Sequence, residues 1–194
     1  MTKLVKTEFS ALDFVDLADK DYITARLLTF AGKPLWRVAA YHSHQAIEKY
    51  LKSLLIQAEG GYLETHKLSE IAQRVGKHFS KLDNKDYFKL IEKFDEAEQV
   101  ARYGLFANYD PLSKTEHGKF QTNDVFVWSD ILIKDLDKIV FIARELIDFG
   151  SQVSRDGLGV VLNGNEKYKS FAGWKLPGIS VLDILISHND YFKK

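Results

Sequence analysis

Cysteine is absent from the 194-residue chain. That removes disulfides, zinc knuckles and thiol catalysis, and makes a reducing compartment, the cytoplasm, the simplest expectation. Net charge is absent as well, since 27 Lys and Arg offset 27 Asp and Glu. The overall field therefore gives no support to tight, sequence-independent capture of a polyanion, although a local basic patch is compatible with it. No uncharged apolar run is long enough to span a bilayer. The stretch from Met1 to Lys20 carries acids throughout and lacks the apolar segment of a signal peptide, so no membrane association is expected. Proline occurs only at Pro34, Pro111 and Pro177, which leaves long stretches free of helix breakers. What is present is 45% apolar and 13% aromatic residues, enough for one main core and incompatible with a disordered or collagen-like chain.

Those stretches read with helical periodicity. From Ser10 to Ala31, apolar residues at Phe14, Leu17, Ala18, Tyr22, Ala25 and Leu28 mark one stripe, with Asp16, Asp19 and Lys20 on other faces, and Gly32 follows as a stop. Pro34 opens a second helix running to about Ala58, ahead of Gly60-Gly61. One broad face of it carries Ala39, Ala46, Ile47, Tyr50, Leu51 and Leu54; the opposite stripe carries Arg37, Tyr41, His44, Gln45, Glu48 and Lys52. A third helix is expected over about Lys67 to Phe79, a fourth from an Asn84 cap through Ala101, and a fifth from near Asn123 to Gly150. The fold class is therefore all-α: an up-and-down bundle of about five helices.

Residues 150–194 differ. Six of the twelve glycines lie from Gly150 onward, and Asn163-Gly164 between apolar runs is a two-residue hairpin signature. The expected division is a bundle over residues 1–149 and a small C-terminal appendage over residues 150–194.

The usual chemical motifs are missing. No Walker loop, GxGxxG or HExxH occurs, so no cofactor is expected. His42 and His44 diverge on their helix, and His44 with Glu48 has no third ligand, so no metal site is expected. Asp135 and Asp137 fall on opposed sides of the fifth helix. Arg37 and His42 are five residues apart, about 140° around a helix, and do not converge.

The run from Trp36 to Leu55 carries Gln45, Ala46, Glu48, Lys49, Lys52 and Leu54 in the pattern Q-A-x-E-K-x-x-K-x-L. It is followed by Thr65, His66 and Leu68 as T-H-x-L, and later by Ala97 to Asp110. Spread over about 140 residues, this pattern resembles the HEPN family (higher eukaryotes and prokaryotes nucleotide-binding). The resemblance implies a helical bundle that often dimerises, found among RNA-cleaving toxins, defence proteins and partners of nucleotidyltransferases. Active members carry an Arg followed four to six residues on by His. Arg102 matches the Arg, but Asn108 and Tyr109 stand where the His belongs.

The resemblance thus implies RNA or a nucleotide as ligand, held by Gln45, Glu48, Lys49, Lys52 and Tyr103. For a metal-independent ribonuclease, Arg102 would stabilise phosphate charge while Asn108 and Tyr109 position it. Tyr103, Phe106 and Tyr109 are placed to stack on a base. The alternative is a non-catalytic interaction module: a partner of a nucleotidyltransferase or antitoxin, or a homodimer scaffold. The missing histidine is the feature that separates the two.

Overall fold

The structure, a computed structural model, describes residues 2–31, 35–103, 122–148, 175–176, 179–180, 189 and 191; within these, the side chains of 96–103, 122–132 and 175–180 lie outside the description. Five helices make the body: α1 (Ala11–Ala31), α2 (Trp36–Glu59), α3 (Leu68–Gly76), α4 (Lys85–Tyr103) and α5 (Thr122–Leu146). The all-α bundle is the observed architecture. Its boundaries follow local chemistry. Ser10 Oγ accepts the Asp13 amide at 3.2 Å while Asp13 Oδ2 accepts the Ser10 amide at 2.8 Å, a reciprocal cap that starts α1. Asn84 Oδ1 accepts the Tyr87 amide at 2.8 Å and starts α4. Gly60, at φ 69°, closes α2 in the left-handed conformation that glycine adopts without a Cβ penalty.

Ion pairs fix the helix directions. Lys93 reaches Asp135 and Lys81 reaches Glu145, so α4 and α5 are antiparallel. Arg26 meets Asp137 while Asp19 meets Arg144, so α1 and α5 are antiparallel too. Gln57 Nε2 donates to the Leu146 carbonyl and Arg144 Nη1 to Tyr50 Oη, which makes α2 run with α5 and against α1 and α4. α2 is the central element. Its Ile47, Tyr50, Leu51, Leu54 and Leu55 are fully buried, packed with the apolar stripes of the other four helices.

Three features depart from the sequence reading. Leu17, expected on the packed stripe of α1, is exposed, and Asp19, expected outside, is buried, because α1 turns its Asp19 edge toward Arg144 of α5. A two-stranded antiparallel sheet, β1 (Leu4–Lys6) with β2 (Gly61–Leu63), ties the N-terminus to the turn after α2 in the register Leu4↔Leu63, Val5↔Tyr62, Lys6↔Gly61. Glycine is required in that register, since a Cβ on Gly61 would stand 2.5 Å from the Val5 carbonyl oxygen. Finally, α5 ends at Leu146, short of Gly150.

The expected hairpin at Asn163-Gly164 lies outside the described residues. A short antiparallel pair is present nearby, β3 (Lys175–Leu176) with β4 (Ile179–Ser180). The end of the chain returns to the α1–α5 face: Asn189 is buried and donates to Tyr22 Oη at 3.0 Å, and the Tyr191 ring stacks on Phe141 with centroids 4.7 Å apart. Among the described residues, no helix is long and apolar enough to cross a membrane.

Candidate functional site

The polar stripe of α2 is exposed at Arg37 but not along its middle. His44, Glu48 and Lys52 recur every fourth residue, and all three are buried where α2 meets α4 and the turn before α3. Lys52 Nζ donates to Glu48 Oε1 at 2.7 Å, and the same ammonium stands 5.2 Å from the centre of the Tyr62 ring on β2. His44 Nδ1 donates to the Phe94 carbonyl of α4 at 3.1 Å, and its Nε2 lies 3.6 Å from Glu48 Oε2. From the β2–α3 turn, His66 brings Nδ1 to 3.1 Å from both Glu48 oxygens.

Glu48 is thus a carboxylate surrounded by cations and N–H donors. Burial alone would raise its pKa, but His44, Lys52 and His66 together pull it down to about 2, so it is ionised throughout the physiological range.

Packing holds the turn that carries His66 at both ends. On one side β2 is stitched to β1, with the Glu64 amide donating to the Lys3 carbonyl at 3.2 Å. On the other, α3 has no side-chain cap of its own at Lys67. Its cap comes from α4 instead: Asp95 accepts the Leu68 amide at 2.6 Å and the Ser69 amide at 2.9 Å, satisfying two of the orphan donors at the helix start. Between these anchors the His66 side chain remains 65% exposed while its Nδ1 is fixed to a buried carboxylate. The Glu48 carboxylate can only accept, so Nδ1 is the donor in this contact.

The other residues singled out from the sequence fall in different places. Lys49 belongs to a second cluster on the α1–α2 side, where it and His42 both bond Asp21; His42 Nδ1 lies 2.8 Å from Asp21 Oδ1. Those two partners outweigh burial and hold Asp21 below the usual carboxylate range. Gln45 is half-buried on α2, one turn before Glu48. Arg102 and Tyr103 end α4, their side chains outside the described residues. At helical rise, Arg102 lies roughly 10 Å along α4 from Asp95, toward the N-terminal end of α2. Asn108 and Tyr109 lie outside the described residues, as does Phe106. The role of His66 was not legible beyond its place in the T-H-x-L pattern, and Asp95, its second anchor, carries no local signal. Among the described residues, no group of three His, Asp or Glu side chains is arranged to hold a metal ion.

A family model described as the HEPN domain matches residues 11–152, well over half of the chain. The chain belongs to the HEPN family. The matched span begins with α1 and takes in all five helices, so it contains the Glu48 cluster, the His66 turn and Arg102. HEPN domains are associated with nucleotide- and RNA-related and toxin functions. No curated protein and no solved structure matches the chain.

Proposed function

We propose that this HEPN protein binds RNA or a nucleotide along the stretch of α4 between Asp95 and Arg102, facing the polar stripe of α2. The observation that carries the reading is that the buried Glu48–Lys52 pair reaches the surface through His66, whose side chain is 65% exposed while its Nδ1 lies 3.1 Å from both Glu48 oxygens. In this reading Gln45 contacts polar groups of the ligand, the buried Glu48 and Lys52 support the site from behind, and Lys49, bonded to Asp21 on the α1–α2 side, stands apart from it. Arg102 takes a phosphate, Asn108 and Tyr109 position it, and Tyr103 stacks on a base. The working unit is a cytoplasmic homodimer, with residues 150–194 as an appendage to the bundle.

The test is retention of labelled single-stranded and transfer RNA by the purified protein, with and without divalent metal, beside Arg102→Ala. Loss of one charge-assisted phosphate contact, about 1.5–3 kcal/mol, weakens retention by roughly ten-fold or more. Retention unchanged in the variant sinks the assignment of Arg102, and no retention by the native protein sinks the reading.

One observation favours a second reading: no histidine follows Arg102 at the family spacing. A non-catalytic module pairing with a nucleotidyltransferase, an antitoxin or a second copy would use the same bundle. Deleting residues 150–194 then abolishes assembly while bundle helicity persists.

A further inference from the structure

Four histidines lie within the described helices and turns, and each meets the surroundings differently. His44 is fully buried with Nδ1 on a backbone carbonyl. His42 shares Asp21, whose side chain is mostly buried, with Lys49. His78 shares Glu59 with Arg74, whose guanidinium takes both carboxylate oxygens, in an exposed cluster. Among the described residues, His66 alone joins an exposed ring to a buried carboxylate. Its Nδ1 is held 3.1 Å from both oxygens of Glu48, while its side chain is 65% exposed.

That arrangement does three things at once. An ionised carboxylate fixes the tautomer, aims the ring and stabilises the imidazolium formed when Nε2 accepts a proton. The ring sits on a turn anchored at both ends, by the β1–β2 sheet and by Asp95, so its position is set by the fold. The same Asp95 that anchors the turn lies seven residues, about two helical turns, before Arg102 on α4.

We propose that His66 is a catalytic residue of this protein, the base that removes the 2′-hydroxyl proton in cleavage of an RNA phosphodiester, with Glu48 as its positioning residue. The proposal rests on the RNA reading above and supplies, from the β2–α3 turn, the proton acceptor that the chain lacks after Arg102. The 2′-hydroxyl proton passes to Nε2 as the 2′-oxygen bonds to phosphorus, and the bond from phosphorus to the 5′-oxygen breaks. The departing alkoxide takes a proton from water, and the hydroxide left behind is neutralised by the proton on the imidazolium. The products are a 2′,3′-cyclic phosphate and a 5′-hydroxyl, with the imidazole restored.

The test measures cleavage of labelled single-stranded and transfer RNA in chelator-containing buffer, together with retention of the same RNAs, for the native protein, His66→Gln, Glu48→Gln and His78→Gln. The native protein is expected to leave cyclic-phosphate ends and to spare a 2′-deoxy substrate. His66→Gln is expected to lower the rate by about 10²–10⁴-fold, the usual contribution of a general base, with retention kept within about two-fold. Glu48→Gln lowers kcat with KM held and alters the pH profile, and His78→Gln changes nothing.

Cleavage that persists in His66→Gln overturns the proposal. So does absence of cleavage by the native protein; continued retention of RNA would then leave the binding reading standing, and loss of both would end both. Should His66→Gln fail to fold, carbethoxylation of the native protein replaces it. Cleavage abolished by the reagent and restored by hydroxylamine supports His66 when peptide mapping places the modification there, and cleavage by fully modified protein overturns it.

Discussion

The bundle buries carboxylates in two regions, and they are built to opposite ends. Between α1 and α5, Asp137 is bound by Arg26 and by Tyr22 Oη at 2.6 Å, and Asp19 is bound by Arg144 and Tyr50. Every member is buried, and each comes from a rigid helix. Burial first, and the adjoining carboxylates after it, hold both phenols well above their usual range, so Tyr22 and Tyr50 serve as neutral donors. The Glu48 cluster has the same ingredients, a carboxylate, a cation and an aromatic ring, but one ligand is a histidine on a turn with its outer face in solvent. Arginine's planar fork closes a carboxylate completely, whereas a lysine and an imidazole leave a titratable group at the surface. A buried charge by itself therefore marks no site. The member of the cluster that water and substrate can reach is what separates a clasp from chemistry.

The hardest way to break the comparison is to open a clasp. Asp137→Ala leaves Arg26 buried without its main counter-charge and is expected to cost about 3–5 kcal/mol in urea unfolding. Replacing both partners, Arg26→Met with Asp137→Leu, is expected to recover most of that loss, because an apolar pair has no desolvation cost to offset. A double variant as unstable as the single one would show that the clasp does more than hold α1 to α5.

Next in size is the open cluster. Glu48 is lowered from 4.5 to about 2 on folding. A carboxylate whose folded pKa lies below its unfolded one stabilises the fold in full above about pH 4.5, and that contribution disappears as pH falls toward 2. The shift corresponds to roughly 3 kcal/mol. Glu48→Gln is expected to lower stability at pH 7 by up to that amount and to flatten the unfolding free energy between pH 4.5 and 2. Parallel pH curves for the two proteins would refute the coupling.

These two regions differ as sharply in how far the sequence discloses them. The helices were legible because a 3.6-residue period survives over twenty residues and because Ser10, Asn84 and Gly60 act within four residues of themselves. The polar stripe of Glu48 and Lys52 was legible as a candidate through the Q-A-x-E-K-x-x-K-x-L resemblance, since charge at i, i+4 opposite a packed face reads by itself as a solvated face. Its burial was not, since that depends on α4 and the His66 turn arriving from elsewhere in the chain. Arg26, Asp19, Asp137 and Arg144 were invisible for the same reason: each pairs across more than a hundred residues, and helical periodicity assigns charge to solvent. β1 and β2, three residues each, are too short to express a two-residue period, and the cap on α3 comes from Asp95, some 26 residues away.

A smaller perturbation asks whether the open cluster depends on the sheet that carries its turn. Gly61→Ala drives a Cβ to 2.5 Å from the Val5 oxygen, so β1 must shift away. A loss of about 1–3 kcal/mol is expected, in the range for overpacking. The His66 imidazole resonances should move while those of His78, held by Glu59 on α2, stay in place. Unmoved His66 signals would show that Asp95 alone places the turn.

The smallest effect sharpens the contrast by sign. Tyr87 is buried near the start of α4, and among the described residues its hydroxyl has no hydrogen-bond partner, with burial pushing the phenol up. Tyr22 and Tyr50 are equally buried but bonded to Asp137 and Asp19. Removing a hydroxyl that bonds a buried carboxylate costs about 1–3 kcal/mol, whereas removing one that was desolvated without a partner returns part of its desolvation cost, on the order of 1 kcal/mol. The same Tyr→Phe substitution should therefore destabilise the bundle at positions 22 and 50 and leave it unchanged or more stable at 87. Urea midpoints for the three variants decide it, and a loss at Tyr87 equal to that at Tyr22 would mean that the hydroxyl on α4 is satisfied after all.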